Sequence, residues 1–420
     1  METHNSFNEQ FEFSGKAKTW SLVAIVVGIV AIAFGFLTNH AERTFANLLL
    51  MGYYFTCVCI AGVFFCALQY AAQAGWSASI LRIPQALAKI LPYASVILLL
   101  VIFCGLHFTQ KVVTEEGGHT ITGTMLYKEW APKEITTKGN EAYNAIIDGK
   151  SGYLNQPFFL IRLVGYLFFY SLLGLMLVKY SQNEDELGGM FNYKKSFNVS
   201  AAFLVIFGFT VPLFAFDAIM SLDAHWFSTM FGWYNFAALW VSGLSVITLV
   251  IITLRKQGYL SWITVDHLHN LGQLMFGFSI FWTYLWFAQF LLIYYANIPE
   301  EAAYFYKRWE PEFQPWFWLN IVINFLAPFL VLMARDSKRH VSVLKAACII
   351  LILGHWLDYY IMIMPATVGP HGRGFGVEEI GIFIGFAGLF VFLLFNALSK
   401  FKSLVPKNHP FLQESLHHHI

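Results

Sequence analysis

Charge is what this chain has least of. Only 12% of its 420 residues are Asp, Glu, Lys or Arg, while 57% are hydrophobic. An average soluble domain carries roughly 25% charged residues. So few charges cannot solvate one soluble core of this length, and lipid is the expected solvent for most of the chain. The net charge of +1 excludes a charge-driven nucleic-acid partner. Cysteine is also scarce. Cys57, Cys59, Cys66, Cys104 and Cys348 all lie inside apolar runs, with no C-x-x-C and no C-x-x-C-H among them. Those spacings exclude covalent c-type haem and leave no set for an iron–sulfur cluster, so redox centres are expected from partner chains. The first apolar run, from Trp20, lacks a small-residue cleavage site and reads as a retained span. His417-His418-His419 is a terminal run rather than a spaced ligand set, and no metal site is expected.

What is abundant is long apolar sequence. A membrane-spanning helix needs about 20 mostly apolar residues. Ten stretches qualify: 20–37, 47–69, 87–108, 157–179, 197–220, 229–254, 271–297, 315–334, 342–364 and 378–399. Pro92, Pro212 and Pro328 fall inside them and are tolerated where neighbouring helices repair the freed backbone groups. The fold class expected is therefore an all-α integral membrane protein, with polar tails at 1–19 and 400–420. Sixteen Lys and Arg residues fall on the side of the two termini. The short loops of the other side hold four: Arg43, Lys307, Arg308 and Arg373. The positive-inside rule then makes both termini cytoplasmic. The long segment 109–156 lies outside. It is polar, with Gly117-Gly118 and Lys138-Gly139-Asn140 reading as turns. It carries no catalytic motif and is expected to be an ordered cap or docking surface.

Span five ends in Phe216-Asp217-Ala218-Ile219-Met220, and span nine holds Leu357-Asp358-Tyr359-Tyr360-Ile361-Met362. Each places an Asp late in a span of the same direction, four spans apart. That pattern suits a parallel duplication of spans two to five (47–220) and six to nine (229–364).

Ionisable residues within spans are costly, roughly 2.5–3.5 kcal/mol each on insertion scales, and mark pathways or bundle interiors. Here they gather toward the outer ends. His107 closes span three, and Arg162 opens span four. Asp217, Asp223 and His225 stand within nine residues, and His355 and Asp358 share one face of span nine. His371, Arg373, Glu378 and Glu379 line the last outer turn. Arg162 and His107 also suit interfacial positions, and Asp223 and His225 also suit solvated turn positions. Asp217 and Asp358 lie inside apolar runs, where burial favours the neutral acid. Both are expected to handle protons, Asp217 foremost. On the inner side, Asp266, His267 and His269 precede span seven as an exposed proton entry or a plain helix start.

Two stretches carry a resemblance. They are Met220-Ser221-Leu222-Asp223-Ala224-His225-Trp226-Phe227-Ser228-Thr229-Met230-Phe231-Gly232, and span seven from His267-Leu268-His269-Asn270-Leu271-Gly272 through Phe281-Trp282-Thr283-Tyr284 to Tyr295-Ala296-Asn297-Ile298-Pro299-Glu300-Glu301. Together they resemble the F-type membrane subunits of bacterial alternative complex III, the quinol:cytochrome c oxidoreductases. Those subunits are related to the NrfD and polysulfide-reductase membrane-anchor family. The resemblance implies ten helices, in two four-helix bundles (spans two to five and six to nine) with two peripheral helices. It also implies no haem or iron–sulfur cluster in this chain. The implied partners are a homologous membrane quinone-binding subunit, a periplasmic iron–sulfur subunit and multihaem cytochrome c subunits, with menaquinol as electron donor. It fixes no catalytic residue. A scaffold without a quinone or proton role, a b-type cytochrome and a transporter stand as alternative readings.

Overall fold

The computed structural model describes residues 9–38, 40–113, 120–369 and 374–417. Ten helices in it are long and apolar enough to cross a membrane. They are α1 (Gly15–Leu37), α2 (Ala41–Ala71), α3 (Arg82–His107), α4 (Gln156–Leu187), α5 (Phe191–Ala218), α6 (Thr229–Lys256), α7 (Val265–Ala296), α8 (Gln314–Leu332), α9 (Val341–Thr367) and α10 (Val377–Ser399). The protein is thus an all-α multi-pass membrane protein. Each sequence span lies inside or overlaps one of these helices. The helices extend further, because polar turns at their ends are still helical.

Helices α2, α3, α4 and α5 contact one another around a closed ring, and α6, α7, α8 and α9 do the same. The rings meet where α2 packs on α6 and α9, and α5 on α6. Helices α2 and α6 are therefore buried almost throughout, while the others show apolar side chains such as Val26, Leu100, Phe209 and Leu292 outward. Water does not drive helices together within lipid, so close packing and buried polar contacts must do it. The α1–α10 pair shows the first device. Gly28 faces Gly385 so closely that a Cβ on either would stand 2.5 Å from the other's Cα. Ala31 on Gly381 and Ala24 on Gly388 extend the same small-residue seam.

Residues 9–14 and the segment after α10 share one face, tied by hydrogen bonds from Gln10 to the Ser399 carbonyl (3.0 Å) and from the Leu404 amide to Glu9 (3.3 Å). The opposite face, called the second face below, carries residues 109–155. These form an antiparallel hairpin of β1 (Thr109–Val113) and β2 (Thr120–Thr124), with Thr109 opposite Thr124, followed by short helical turns. The hairpin is a small exception to the all-helical expectation. Gly117 and Gly118 lie outside the described residues.

Local sequence explains the starts that matter below. The Asn155 side chain accepts from the Phe158 amide and caps α4, with Pro157 in its first turn. Helix α8 likewise begins Gln314-Pro315. Residues Val322–Leu326 of α8 widen into a π turn just before Pro328, whose ring nitrogen offers no hydrogen to the preceding turn. The wide turn carries Asn324.

Candidate functional site

Two carboxylates lie at matching places in the two rings, and they are held differently. In the first ring, Asp217 ends α5 with no exposed surface. Arg162 reaches it from the second turn of α4, with Nε donating to Oδ2 at 2.9 Å and a terminal nitrogen to Oδ1 at 2.8 Å. A third guanidinium contact goes to the Tyr153 carbonyl at 3.0 Å, and the cation stacks over the Tyr153 and Phe158 rings. Burial pushes the Tyr153 phenol up to about 12, so this ring is a neutral wall of the pair. A two-pronged Arg–carboxylate bond fixes geometry as well as charge. Arg162 is therefore a buried partner, not a snorkelling side chain. The charge of Asp217 is cancelled in place, which departs from the expectation that it is the foremost proton carrier.

In the second ring, Asp358 lies mid-α9, fully buried. Each of the other three helices sends it one donor. Tyr234 of α6 donates its hydroxyl to Oδ1. Asn320 of α8 donates to Oδ1 at 2.8 Å, and Trp282 of α7 donates to Oδ2 at 2.9 Å. Among the described residues no Lys or Arg forms an ion pair with it. Its one ionisable neighbour at ion-pair range is His355, with Nδ1 3.8 Å from Oδ2. The His355 ring sits edge-on to Trp282, fully buried, and neither ring nitrogen has a hydrogen-bond partner. Asn324 donates to Asn320 at 2.6 Å, while its own Oδ1 is unpartnered. Gly354 makes room for it, since a Cβ there would stand 2.3 Å from that oxygen. Buried polar groups without partners are rare and cluster where water, an ion or a proton is handled.

The two sites are internal counterparts. Arg162 is the seventh residue of Gln156-Pro157-Phe158-Phe159-Leu160-Ile161-Arg162, and Asn320 is the seventh of Gln314-Pro315-Trp316-Phe317-Trp318-Leu319-Asn320. Each reaches the Asp of the last helix in its ring. One copy supplies a cation and the other a neutral amide.

Between Asp358 and the second face lies a cavity of about 20 Å³, lined by Tyr234, Gln289, Tyr304, Arg308, Trp286 and Phe317 among others. That is about the room one water needs. Gln289 Oε1 is buried there without a partner. Burial pushes the Tyr304 phenol up to about 12, and it lines the cavity as a neutral hydroxyl. Arg308, almost fully buried, donates to the Met362 carbonyl (2.9 Å) and to Asp223 (3.4 Å). Lys307 bridges Asp223 (3.2 Å) and Glu129 (3.3 Å) at the mouth.

The segment 109–155 clasps this mouth. Tyr127 donates to the Ala218 carbonyl (3.0 Å), Trp130 to Ser221 (3.0 Å) and Lys150 to Ala224 (2.6 Å), and Glu129 accepts from the Ala224 amide (2.5 Å). His225 meets Asn144 at 3.4 Å and is half-buried. Asp223 and His225 are thus held residues of a covered loop.

The other expected residues lie elsewhere. His107 is exposed, stacked on Phe103, with Nδ1 on its own helix's carbonyl at 2.8 Å, and it does not join the cluster. Glu378 and Glu379 bind Arg43, tying α10 to α2. His371 and Arg373 lie outside the described residues. Asp266, His267 and His269 are buried rather than exposed. Asp266 pairs with Arg339, and His267 caps its own helix through Thr264 and bonds Ser79 at 3.1 Å. Sequence reasoning reads Asn320 and Asn324, four apart on span eight, as hydrogen-bonding across helices without linking them to Asp358, and it passes over Tyr234, Trp282, Arg308 and Glu129. The repeated Gln-Pro helix start is the signal that could have tied Asn320 to its counterpart Arg162; no sequence pattern marked the others.

Among the described residues no three His, Cys, Asp or Glu side chains converge as metal ligands. No protein-family model matches the chain, and no curated protein matches it.

Proposed function

We propose that this chain is a membrane subunit of a quinol-oxidising complex of the alternative complex III type, in which Asp358 carries protons toward the second face, the periplasmic one. The observation that carries the reading is the Asp358 site itself. It is a buried carboxylate with three neutral donors, an unpartnered imidazole beside it and, among the described residues, no Lys or Arg paired with it. Such a group can gain and lose a proton without breaking an ion pair. Tyr234 both touches Asp358 and lines the water-sized cavity, so its hydroxyl can pass one proton outward while accepting another. From the cavity the route continues past Arg308 to Asp223 and the mouth held by Lys307 and Glu129.

Quinol oxidation releases two protons with two electrons, and an exit on the periplasmic side would add them to the gradient. Ligand pockets typically hold about 300–1,000 Å³, so a cavity of about 20 Å³ is far too small for a quinone ring. Quinone is therefore not placed in this cavity; the reading puts menaquinol binding in a homologous membrane subunit, with electrons leaving to periplasmic iron–sulfur and multihaem cytochrome c subunits. The clasped second-face segment is then the seat for those subunits.

The test is Asp358→Asn in the assembled complex in sealed vesicles. Proton release per quinol should fall while Asp217→Asn keeps it; unchanged release in Asp358→Asn removes the proton role. A second reading, a purely structural anchor, is favoured by the closed Arg162–Asp217 pair and the clasped loop. It predicts that deleting 109–155 abolishes assembly while Asp358→Asn is silent.

A further inference from the structure

At the terminal-face end of the first ring, Glu184 of α4 is fully buried, and neither carboxylate oxygen has a hydrogen-bond partner. Ser181 lies one turn away on the same helix face. Helix α5 runs back antiparallel after a three-residue turn, and Tyr193, Ser196 and Ser200 recur on its buried stripe. The hydroxyls of all three are buried and unpartnered, as is Gln69 Oε1 at the matching end of α2. Arg82 on α3 is near, but its terminal nitrogens are engaged with Asp185, Gln85 and Ser181. The titratable groups around Glu184 are Arg82, Asp185, Tyr70 and Cys66 of α2, Tyr193 of α5, and His409 of the C-terminal segment. That segment closes the end. Asn408 donates to the Glu184 and Asp185 carbonyls (3.2 and 2.9 Å), and His409 lies against the Tyr70 and Tyr193 rings.

A desolvated carboxylate with no partner costs far more than a neutral acid in the same place. A monovalent cation would face Arg82, whereas a protonated carboxyl among hydroxyls and water would not. We propose that Glu184, with Ser181 beside it and the unpartnered hydroxyls of Tyr193, Ser196 and Ser200 on the adjoining helix, is a hydrated proton-binding site that holds Glu184 as the protonated carboxylic acid beneath the C-terminal segment. The site goes beyond the proposed function and does not depend on quinol chemistry.

Infrared spectra of the purified full-length chain in detergent at neutral pH test it. The wild type should show a carboxylic-acid C=O band that is missing from Glu184→Gln and shifts in D2O. Glu184→Asp, which keeps the acid, should retain a displaced band, and this covers the case in which Glu184→Gln folds poorly. No band lost with Glu184→Gln overturns the protonated state. A band that does not shift in D2O overturns the hydrated site, and one abolished by adding sodium overturns the proton site in favour of a cation site. No quinol is involved, so failure here leaves the reading of Asp358 standing, and failure at Asp358 leaves this one standing.

Discussion

Arg162→Met is the sharpest test of how the two carboxylates divide. It removes the cation and leaves Asp217, with no exposed surface, carrying an unpaired charge beside the neutral phenols of Tyr153 and Tyr166. Breaking a buried ion pair from one side costs about 3–5 kcal/mol. An independent bound comes from escape by protonation. Protonating an ordinary aspartate at pH 7 costs about 4 kcal/mol, so the loss should not greatly exceed that. The double variant Arg162→Met/Asp217→Leu removes both charges and should recover most of the loss, since an apolar pair often replaces a buried ion pair without cost. The coupling energy of the cycle should be about 3 kcal/mol. Thermal unfolding in detergent can be followed with a thiol-reactive dye, because Cys57, Cys59, Cys66 and Cys348 are buried and free until the fold opens. A single variant that loses under about 1 kcal/mol, or a double variant as weak as the single, would refute the view of Asp217 as a fixed, cancelled charge.

Three further outcomes are expected. Gly385→Leu places a side chain where Gly28 Cα already stands, so α1 should separate from α10, seen as lost cross-linking between cysteines introduced at Gln10 and Ser399, which meet outside the seam. His409 is buried against Tyr70, Tyr193 and Phe411, and its Nδ1 accepts from the Phe411 amide at 3.3 Å. Burial pushes that imidazole down to about 4 from an ordinary value of 6.5. Its contribution to docking of the C-terminal segment is therefore full above pH 6.5 and is lost as pH falls toward 4, by up to about 3 kcal/mol. Proteolysis of residues 400–416 should quicken over that range, and His409→Phe should flatten the response. Trp130→Phe removes the bond to Ser221 and should cost about 1 kcal/mol, with faster hydrogen exchange across residues 219–225.

The ten helices were legible because lipid demands one long apolar run per crossing, and composition alone reveals such runs. The duplication was half legible. Asp217 and Asp358 stood out as charges in apolar sequence, but their difference lay in what the third helix of each ring brings to them. Arg162 looked like an interfacial cation and Asn320 like a general interhelical bond. Only the geometry brings them to equivalent carboxylates. The inner histidines misled because a polar stretch at a helix start reads as exposed, whereas the C-terminal segment covers it through Ser415, which meets His267 at 3.3 Å. Glu184 was invisible for a related reason. It follows polar residues near a helix end, and nothing in Ser181-Gln182-Asn183-Glu184 says which side chain turns inward.

The glycine seam between α1 and α10 has a consequence for biogenesis. Helix α1 leaves the ribosome well before α10. Gly385 emerges about 360 residues after Gly28, which at 5–20 residues per second is roughly 20 to 70 seconds later. Through that interval α1 waits in lipid with its seam unmatched, packed against α2 among the helices already made. Its exposed Val26, Ile29 and Val30 let it wait safely in lipid, and the notch of glycine and alanine offers little for a wrong helix to grip. Closure of the seam is thus a late step, and it reports that the eight spans between α1 and α10 have been made.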